Sequence, residues 1–375
     1  MKFLFTCGGT AGHINPALGV AGRIRELMPD AEILFVGAEG KMETDLVPRA
    51  GFDIRTVKIT NIRRGFSAEA LTHNFQTAKN VVESLSQAKR IVREFQPDAA
   101  IGTGGYVCYP VIRAAAAMGV PTVIHESNAV PGLTTKMLSR VADRILVGFE
   151  ESREHYAHKD RVTVTGTPVR EDFKNLNKAS AKDALGIPQD KPLVVSVWGS
   201  LGAAFMNDIM ADFIKRAAQK PFFALIHSAG SKGYAKMMGE LDGSVDYAAA
   251  GMEVREYIYD MSTVMAAADL VMCRAGASTL SELAVMGKPA ILVPSPNVTN
   301  NHQEKNARVL ESAGAAKVLL EGEFTADSLL GTVSELLQNK TALDEMSEKM
   351  YSLGVRDSNE KIVEIVLELA SKKRK

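Results

Sequence analysis

The sequence predicts an α/β protein made of two doubly wound, Rossmann-like domains, each with a parallel sheet covered on both faces. Three observations carry this expectation. Short apolar runs alternate with helical periodicity along the whole chain. The alternation restarts near the middle, and 375 residues suit two domains of ordinary size. Glycine-rich turns follow several of the apolar runs, which is where open α/β sheets bind their ligands.

The first set of strands is read at Phe3 to Cys7, Ile33 to Val36, Ala99 to Gly102, Thr122 to Ile124 and Arg144 to Val147. These runs are mainly apolar, broken only by Thr6, Thr122 and Arg144, as strands buried on both faces should be. Ala17, Val20, Ala21, Ile24, Leu27 and Met28 recur at helical spacing after the first of them, with Asn15 as the expected N-cap and Pro16 as the first helical residue. Gly166 and Pro168 interrupt the pattern within Thr165-Gly166-Thr167-Pro168, which divides the chain into domains 1–165 and 166–355. Leu193 to Trp198, Phe223 to Ser228, Leu270 to Met272 and Ala290 to Val293 are the strands of the second set. Asp357-Ser358 caps a last helix within 356–375, with Ile362, Ile365, Val366 and Leu369 on one face and a basic end at Lys372 to Lys375.

Composition narrows the function. Hydrophobic residues make up 46% and charged residues 23%, enough for large cores and too apolar for disorder. Lys+Arg and Asp+Glu are equal at 44 each, so the chain as a whole is not a basic nucleic-acid binder. Basic residues are in excess over the first domain and acidic ones over the second, a bias that suits an anionic surface or a phosphorylated substrate in the first half, or is chance. Cys7, Cys108 and Cys273 are distant and odd in number, which argues against a disulfide framework or a zinc site. Phe3-Leu4-Phe5 is too short a run for a signal peptide, and no apolar stretch is long enough to span a bilayer. Any membrane contact is therefore expected to be peripheral.

Six loops carry candidate chemistry. Gly8-Gly9-Thr10-Ala11-Gly12-His13 follows the first strand; its glycines let a ligand approach the backbone, and His13 can take a proton from a hydroxyl near neutral pH, or merely bond its own turn. The spacing is not that of dinucleotide-binding GxGxxG, although Glu39 imitates the ribose-binding acid of that motif. Gly102-Thr103-Gly104-Gly105-Tyr106 is a second close-approach turn or a packing turn under the first. His125-Glu126-Ser127-Asn128 gathers hydrogen-bonding groups at a strand end, or caps the helix after Pro131-Gly132. Gly199-Ser200-Leu201-Gly202-Ala203 can bind phosphate through backbone N–H groups and the Ser200 hydroxyl. Arg274 to Glu282 opens a helix with small residues; its start can hold a diphosphate, and Glu282 can accept both hydroxyls of a ribose or serve only the helix dipole. Asn301-His302-Gln303-Glu304-Lys305-Asn306 offers amides for sugar hydroxyls, or is a polar loop. HExxH, DxD, clustered Cys/His and GxxxxGK[ST] are all missing from the sequence, so neither a metal site nor ATP hydrolysis is expected.

In this order GGTAGHINPAL, GTGGY, HESNAVPG, TGTPVR, GSLGA, RAGASTLSELAVMGKPAILVP and HQEKNA resemble the MurG family within glycosyltransferase family 28, over Gly8 to about Ala316. The resemblance implies the GT-B architecture, two Rossmann-like domains facing across a cleft, with a C-terminal helix returning to the first. It implies inverting transfer of GlcNAc from UDP-GlcNAc to the MurNAc 4-hydroxyl of lipid I (undecaprenyl-diphospho-MurNAc-pentapeptide), giving lipid II for peptidoglycan. No cofactor or metal is implied, and the enzyme is expected at the cytoplasmic face of the cell membrane as a peripheral protein. By the same resemblance His13 is the general base. Thr10, Ala11 and Gly12 lie near the donor sugar and the acceptor diphosphate, and Asn128 contacts the donor sugar. Arg170 and Ser200 bind the donor, Ile258 reads the uracil through its backbone, and Ala277, Ser278, Thr279 and Leu280 hold the diphosphate. Glu282 binds the ribose, and Gln303 with Asn306 the sugar hydroxyls. The sequence departs from the family pattern at Ala11, Ser127, Thr167, Leu201 and the pair Cys108-Tyr109; Leu201 puts one polar contact in doubt, and Tyr109 bears on the acceptor groove.

Arg63, Arg64, Lys79, Lys89 and Arg90 interleave with Ile62, Phe66, Leu71, Phe75, Val82 and Leu85, a pattern that suits an anionic lipid surface or an ordinary core-facing helix. Rival functions are a UDP-sugar transferase acting on diacylglycerol, a UDP-sugar epimerase, and a non-catalytic nucleotide-sugar sensor. The glycine spacing disfavours an NAD dehydrogenase.

Overall fold

A computed structural model of the chain describes residues 1–59, 68–199, 202–243, 246–298 and 301–373, with the side chains of 68–79, 81, 247, 248 and 373 outside the description. Ser200, Leu201, Ile62, Arg63, Arg64 and Phe66, and the side chains of Leu71, Phe75 and Lys79, therefore lie outside the described residues. The chain divides into two compact units, Met1–Arg170 with Val355–Lys375, and Glu171–Gly354.

The first unit is a seven-stranded parallel sheet of β1 (Lys2–Thr6), β2 (Glu32–Ala38), β3 (Asp53–Val57), β4 (Ala99–Gly102), β5 (Thr122–Glu126), β6 (Arg144–Val147) and β7 (Val162–Val164), in the order β3-β2-β1-β4-β5-β6-β7. Alternation along β1 explains its two cores. Leu4 joins Leu34, Val36, Ala100 and Ile124 on one face, against the helices Ala68–Phe95 and Cys108–Ala117. Phe3 and Phe5 join Phe35 and Ile101 on the other, against the helix Ala11–Leu27 and the last helix, Ser358–Lys373. Phe5 stacks on Phe35 with ring centroids 5.1 Å apart. Ile362, Val363, Val366 and Leu369 of the last helix are buried in this second core.

The second unit repeats the scheme with six strands, β8 (Leu193–Val197), β9 (Ala224–Ser228), β10 (Met252–Arg255), β11 (Leu270–Cys273), β12 (Ala290–Leu292) and β13 (Ala316–Val318), ordered β10-β9-β8-β11-β12-β13 and parallel. Val194, Leu225, Met272 and Ile291 meet Met206, Met210, Phe213 and Ile214 of the helix Ala204–Ala217 and Leu329 and Val333 of the helix Ala326–Gln338. Both sheets reverse direction beside their first strand, at β1/β4 and at β8/β11. Ligands of doubly wound sheets bind at such reversal points, beyond the carboxyl ends of the strands.

Two local expectations change. The first helix begins at Ala11 with Thr10 as its N-cap, not at Pro16 behind Asn15. The Thr10 carbonyl accepts from His13 N at 3.0 Å and Ile14 N at 3.2 Å, so the turn closes before the proline. Pro16 is buried inside the helix, where it gives up its own N–H donor. Leu27 is half exposed rather than on the core face.

Candidate active site

In the first unit Thr6 pairs in register with Gly102, so the turns after β1 and β4 lie side by side at the reversal point. Gly8 N donates to the Gly104 carbonyl at 3.2 Å, and the Thr103 hydroxyl donates to the His13 carbonyl at 2.7 Å. Such closeness requires glycine. Gly104 has φ +119°, and a Cβ there would lie 2.3 Å from His13 Nδ1; Gly105 has φ +89°, and a Cβ there would lie 2.2 Å from the Gly8 carbonyl oxygen. The His13 imidazole thus rests against bare backbone. Its own main chain is fixed on both sides, by Thr10 and by Thr103. Thr10 is exposed at the helix start, with Ala11, Gly12 and His13 half-buried behind it.

The cluster after β5 divides its labour. His125 is buried, and its Nε2 lies 2.9 Å from the Gly166 carbonyl. A carbonyl can only accept, so Nε2 carries the proton and Nδ1 faces the Ser127 hydroxyl at 3.4 Å. Burial holds His125 below the ordinary histidine pKa, the nearby His13 adds to this, and the Gly166 bond and the Glu126 charge oppose it. Next to His13, then, stands an imidazole kept neutral. The Glu126 carboxylate accepts from Asn128 N at 3.0 Å, Asn128 Nδ2 at 2.9 Å and Gly132 N at 3.0 Å. Glu126 is thus committed to shaping its own loop and to orienting Asn128.

In the second unit the helix Ala277–Met286 starts at the β8/β11 reversal point, and its N-cap, Gly276, has no side chain to bond the first turn. Ala277 and Leu280 are buried and present backbone only, while Ser278 and Thr279 are half-buried. Glu282 stands close enough to Cys273, at the end of β11, to help burial push that thiol up to about 12. Neighbouring loops are tied together beneath this start. Arg274 donates to the carbonyls of Val293 at 3.1 Å and Pro294 at 3.3 Å and pairs with Glu321 at 2.6 Å. Gln303 Oε1 accepts from Ser295 N at 2.9 Å. Asn306 is fully buried and donates to the Ala275 carbonyl at 3.3 Å, so it supports the loop from below. The Ile258 side chain is buried, leaving its backbone as the part that can be read, between Tyr257 and the 85% exposed Tyr259, whose rings lie 4.8 Å apart.

Residues 3–147 match the glycosyltransferase family 28 N-terminal domain, and residues 193–362 match its C-terminal domain. The chain belongs to glycosyltransferase family 28. Among family members similar to it is the UDP-N-acetylglucosamine--N-acetylmuramyl-(pentapeptide) pyrophosphoryl-undecaprenol N-acetylglucosamine transferase of Acetivibrio thermocellus, 42% identical over 373 residues, covering 100% of this chain and 99% of that protein. The protein of the same name from Bacillus cytotoxicus is 39% identical over 99% of this chain and 100% of its own length. Among solved structures, Acinetobacter baumannii MurG is similar with a TM-score of 0.74 at 26% identity, covering 98% of this chain and 99% of that one. A UDP-GlcNAc 2-epimerase from Neisseria meningitidis shares the fold at 15% identity and a TM-score of 0.66, over 98% of this chain and 100% of its own. The two parallel-sheet, Rossmann-like units are the α/β GT-B pattern expected of family 28.

Family membership leaves particular residues to be judged one by one. Arg170 is exposed at the last position of the first stretch of unit one. Glu39 is exposed and does not reach the first glycine turn; Glu43, four residues on, does. Sequence reasoning missed Glu43, the Thr103 grip on His13 and the Arg274–Glu321 pair. The only available signal was a polar residue type beside a glycine turn. Among the described residues no group of three His, Cys, Asp or Glu is placed to hold a metal ion, and no helix is long and apolar enough to cross a membrane.

Proposed function

We propose that this chain transfers GlcNAc from UDP-GlcNAc to the 4-hydroxyl of MurNAc in lipid I, forming lipid II with inversion at the anomeric carbon. The observation that carries the reading is end-to-end similarity to transferases of that name, 42% identical across 100% of this chain. In the reaction the acceptor oxygen bonds to the anomeric carbon as the bond from that carbon to the β-phosphate oxygen breaks. His13 takes the hydroxyl proton, and UDP departs with the electron pair.

What supports His13 is its fixed backbone, its seat on Gly104 and a neutral neighbour in His125. Base help of this kind is worth about 10²–10⁴-fold. What supports the helix start at Ala277 as the holder of the departing diphosphate is the lack of a side-chain cap, which leaves its dipole directed at developing charge. Glu282 takes the ribose hydroxyls, the Ile258 backbone the uracil, and Gln303 a sugar hydroxyl. Thr10, Ala11, Gly12 and Asn128 line the approach in unit one; Arg170 and Ser200 complete the donor contacts. Asn306 acts by holding the loop that carries Ala275.

The lipid acceptor places the work at the cytoplasmic face of the cell membrane, with the chain as a peripheral protein. Val82, 70% exposed on the helix Ala68–Phe95, lies with exposed Lys89 and Arg90 on the part of that segment that is described. Labelled UDP-GlcNAc with a lipid I analogue should give a labelled disaccharide-lipid in an amount that requires acceptor. Conversion of the donor to UDP-ManNAc without acceptor, or binding without turnover, would reject the reading.

A further inference from the structure

We infer that Glu43 is a positioning residue for the transfer reaction: a fully buried carboxylate that sets the first glycine turn and, through it, the backbone on which the His13 imidazole rests. The inference builds on the reading of His13 as the base.

Glu43 opens the helix Glu43–Arg49 and is 0% exposed. No Lys, Arg or His forms an ion pair with it among the described residues. Its two oxygens are met by backbone instead. Oε1 accepts from Ala38 N, at the end of β2, at 2.9 Å, and Oε2 accepts from Gly9 N, in the turn after β1, at 3.1 Å. A buried charge is costly unless hydrogen-bonded, and an apolar side chain would fill the same space without that cost. What an apolar residue could not do is hold N–H groups from two separate strand ends at one fixed separation. The carboxylate therefore acts as a spacer between the turns after β1 and β2.

The fit around it is tight. A Cβ on Gly8 would lie 2.4 Å from Glu43 Oε1, and a Cβ on Gly37 would lie 2.5 Å from its Cγ. Both glycines thus make room for Glu43, and Gly8 also for Val107, whose Cγ1 would lie 2.9 Å from the same Cβ. The spacing passes onward through backbone. Gly8 N bonds Gly104 O at 3.2 Å, the Gly105 α-carbon has room only for hydrogen above the Gly8 carbonyl, and the His13 ring lies against Gly104. The hydrogen bond links the two turns, and the glycine contacts on either side of it leave no room for a side chain. The charge is felt nearby as well: after burial, Glu43 helps to raise the Tyr106 phenol and the Cys7 thiol.

Glu43→Gln keeps the shape but turns an amide NH₂ toward one of two N–H donors, so the turn must give way. Glu43→Asp keeps the charge and shortens the reach. Both are tested in the full chain with labelled UDP-GlcNAc and a lipid I analogue, following kcat, KM, the pH profile of kcat, and UDP binding by calorimetry. Each is also combined with His13→Ala. For Glu43→Gln the expectation is a loss of roughly 10- to 100-fold in kcat, the scale of a misplacement of up to about 1 Å. UDP affinity stays within about twofold, and the limb of the pH profile that reports His13 moves. In the His13→Ala background the further loss is under about twofold, because the two changes act through one group. A lowered melting temperature with unchanged kcat, or full additivity with His13→Ala, would overturn the inference. If Glu43→Gln does not fold, Glu43→Asp carries the same test, and failure of both to fold overturns it by making Glu43 a core residue only. If His13→Ala itself retains full activity, the base reading has failed, and that outcome is separate from Glu43.

Discussion

Gly104→Ala tests the seat of His13, the proposed base. The new methyl carbon would stand 2.3 Å from His13 Nδ1, against an ordinary contact of at least 3.4 Å, so the ring must retreat by about 1.1 Å. Displacements of about 1 Å in a reacting group can cost about 100-fold in rate, equivalent to roughly 2.7 kcal/mol of barrier. The substitution also strains the backbone, since φ +119° is foreign to alanine, at a cost on the order of 1–3 kcal/mol of stability. Gly119→Ala separates the two effects. Gly119 has φ +72° with nothing within 4 Å of its Cβ position, so it incurs strain without a collision. Both variants should melt earlier, and only Gly104→Ala should lose turnover in the labelled-GlcNAc assay. On a His13→Ala background, Gly104→Ala should cost little more. A folded Gly104→Ala protein with wild-type kcat would refute the argument, as would equal losses in both glycine variants.

Other outcomes follow from single residues. Glu282→Gln should raise KM for UDP-GlcNAc roughly 10- to 100-fold with a smaller change in kcat, matching the loss of a charge-assisted bond worth about 1.5–3 kcal/mol; steady-state kinetics with varied donor checks it. His227 is buried against Ser196 at 3.0 Å, and burial depresses its pKa to about 3. Between about 6.5 and 3 the unfolded chain binds the extra proton, so this stabilisation is lost on acidification, by about 2 kcal/mol from pH 7 to pH 5. Urea unfolding of His227→Gln should show that much less acid sensitivity than wild type. Lys288 donates to Ala266 O at 2.6 Å and Ala268 O at 2.9 Å, and burial first, then Lys178 and Lys182, lower its pKa to about 8. Here the folded chain releases its proton earlier, so wild-type stability relative to Lys288→Met should rise by about 2 kcal/mol from pH 7.5 to pH 9.5. A flat difference would place the charge elsewhere.

Interior strands were legible because burial on both faces writes them as largely apolar runs, as in Ala99–Gly102. The edge and short strands Asp53–Val57, Met252–Arg255 and Ala316–Val318 were not. Each pairs on one side only and carries charge, at Asp53, Arg55, Glu253, Arg255 and Lys317, so period and composition both fail there. The glycine turns announced themselves by composition, and their chain order led to the family. Which partner each turn needs could not be read. Glu43 meets Gly9 across 34 positions, and Thr103 meets His13 across 90, and no local pattern encodes such pairings. Helix capping misled for a related reason: Asn15-Pro16 is a good local start, but the Thr10 carbonyl closes the turn earlier.

The last helix has a consequence for biosynthesis. Asn359 Nδ2 reaches back to the Val169 carbonyl at 2.9 Å, a span of 190 positions, and the whole of Glu171–Gly354 is threaded between the two stretches of unit one. The lobe that leaves the ribosome first is therefore completed last. Until Ile362, Val363 and Val366 emerge, the Phe3 and Phe5 face is covered by the helix Ala11–Leu27 alone, and the rest of that oily surface stays open while an entire second lobe is being made.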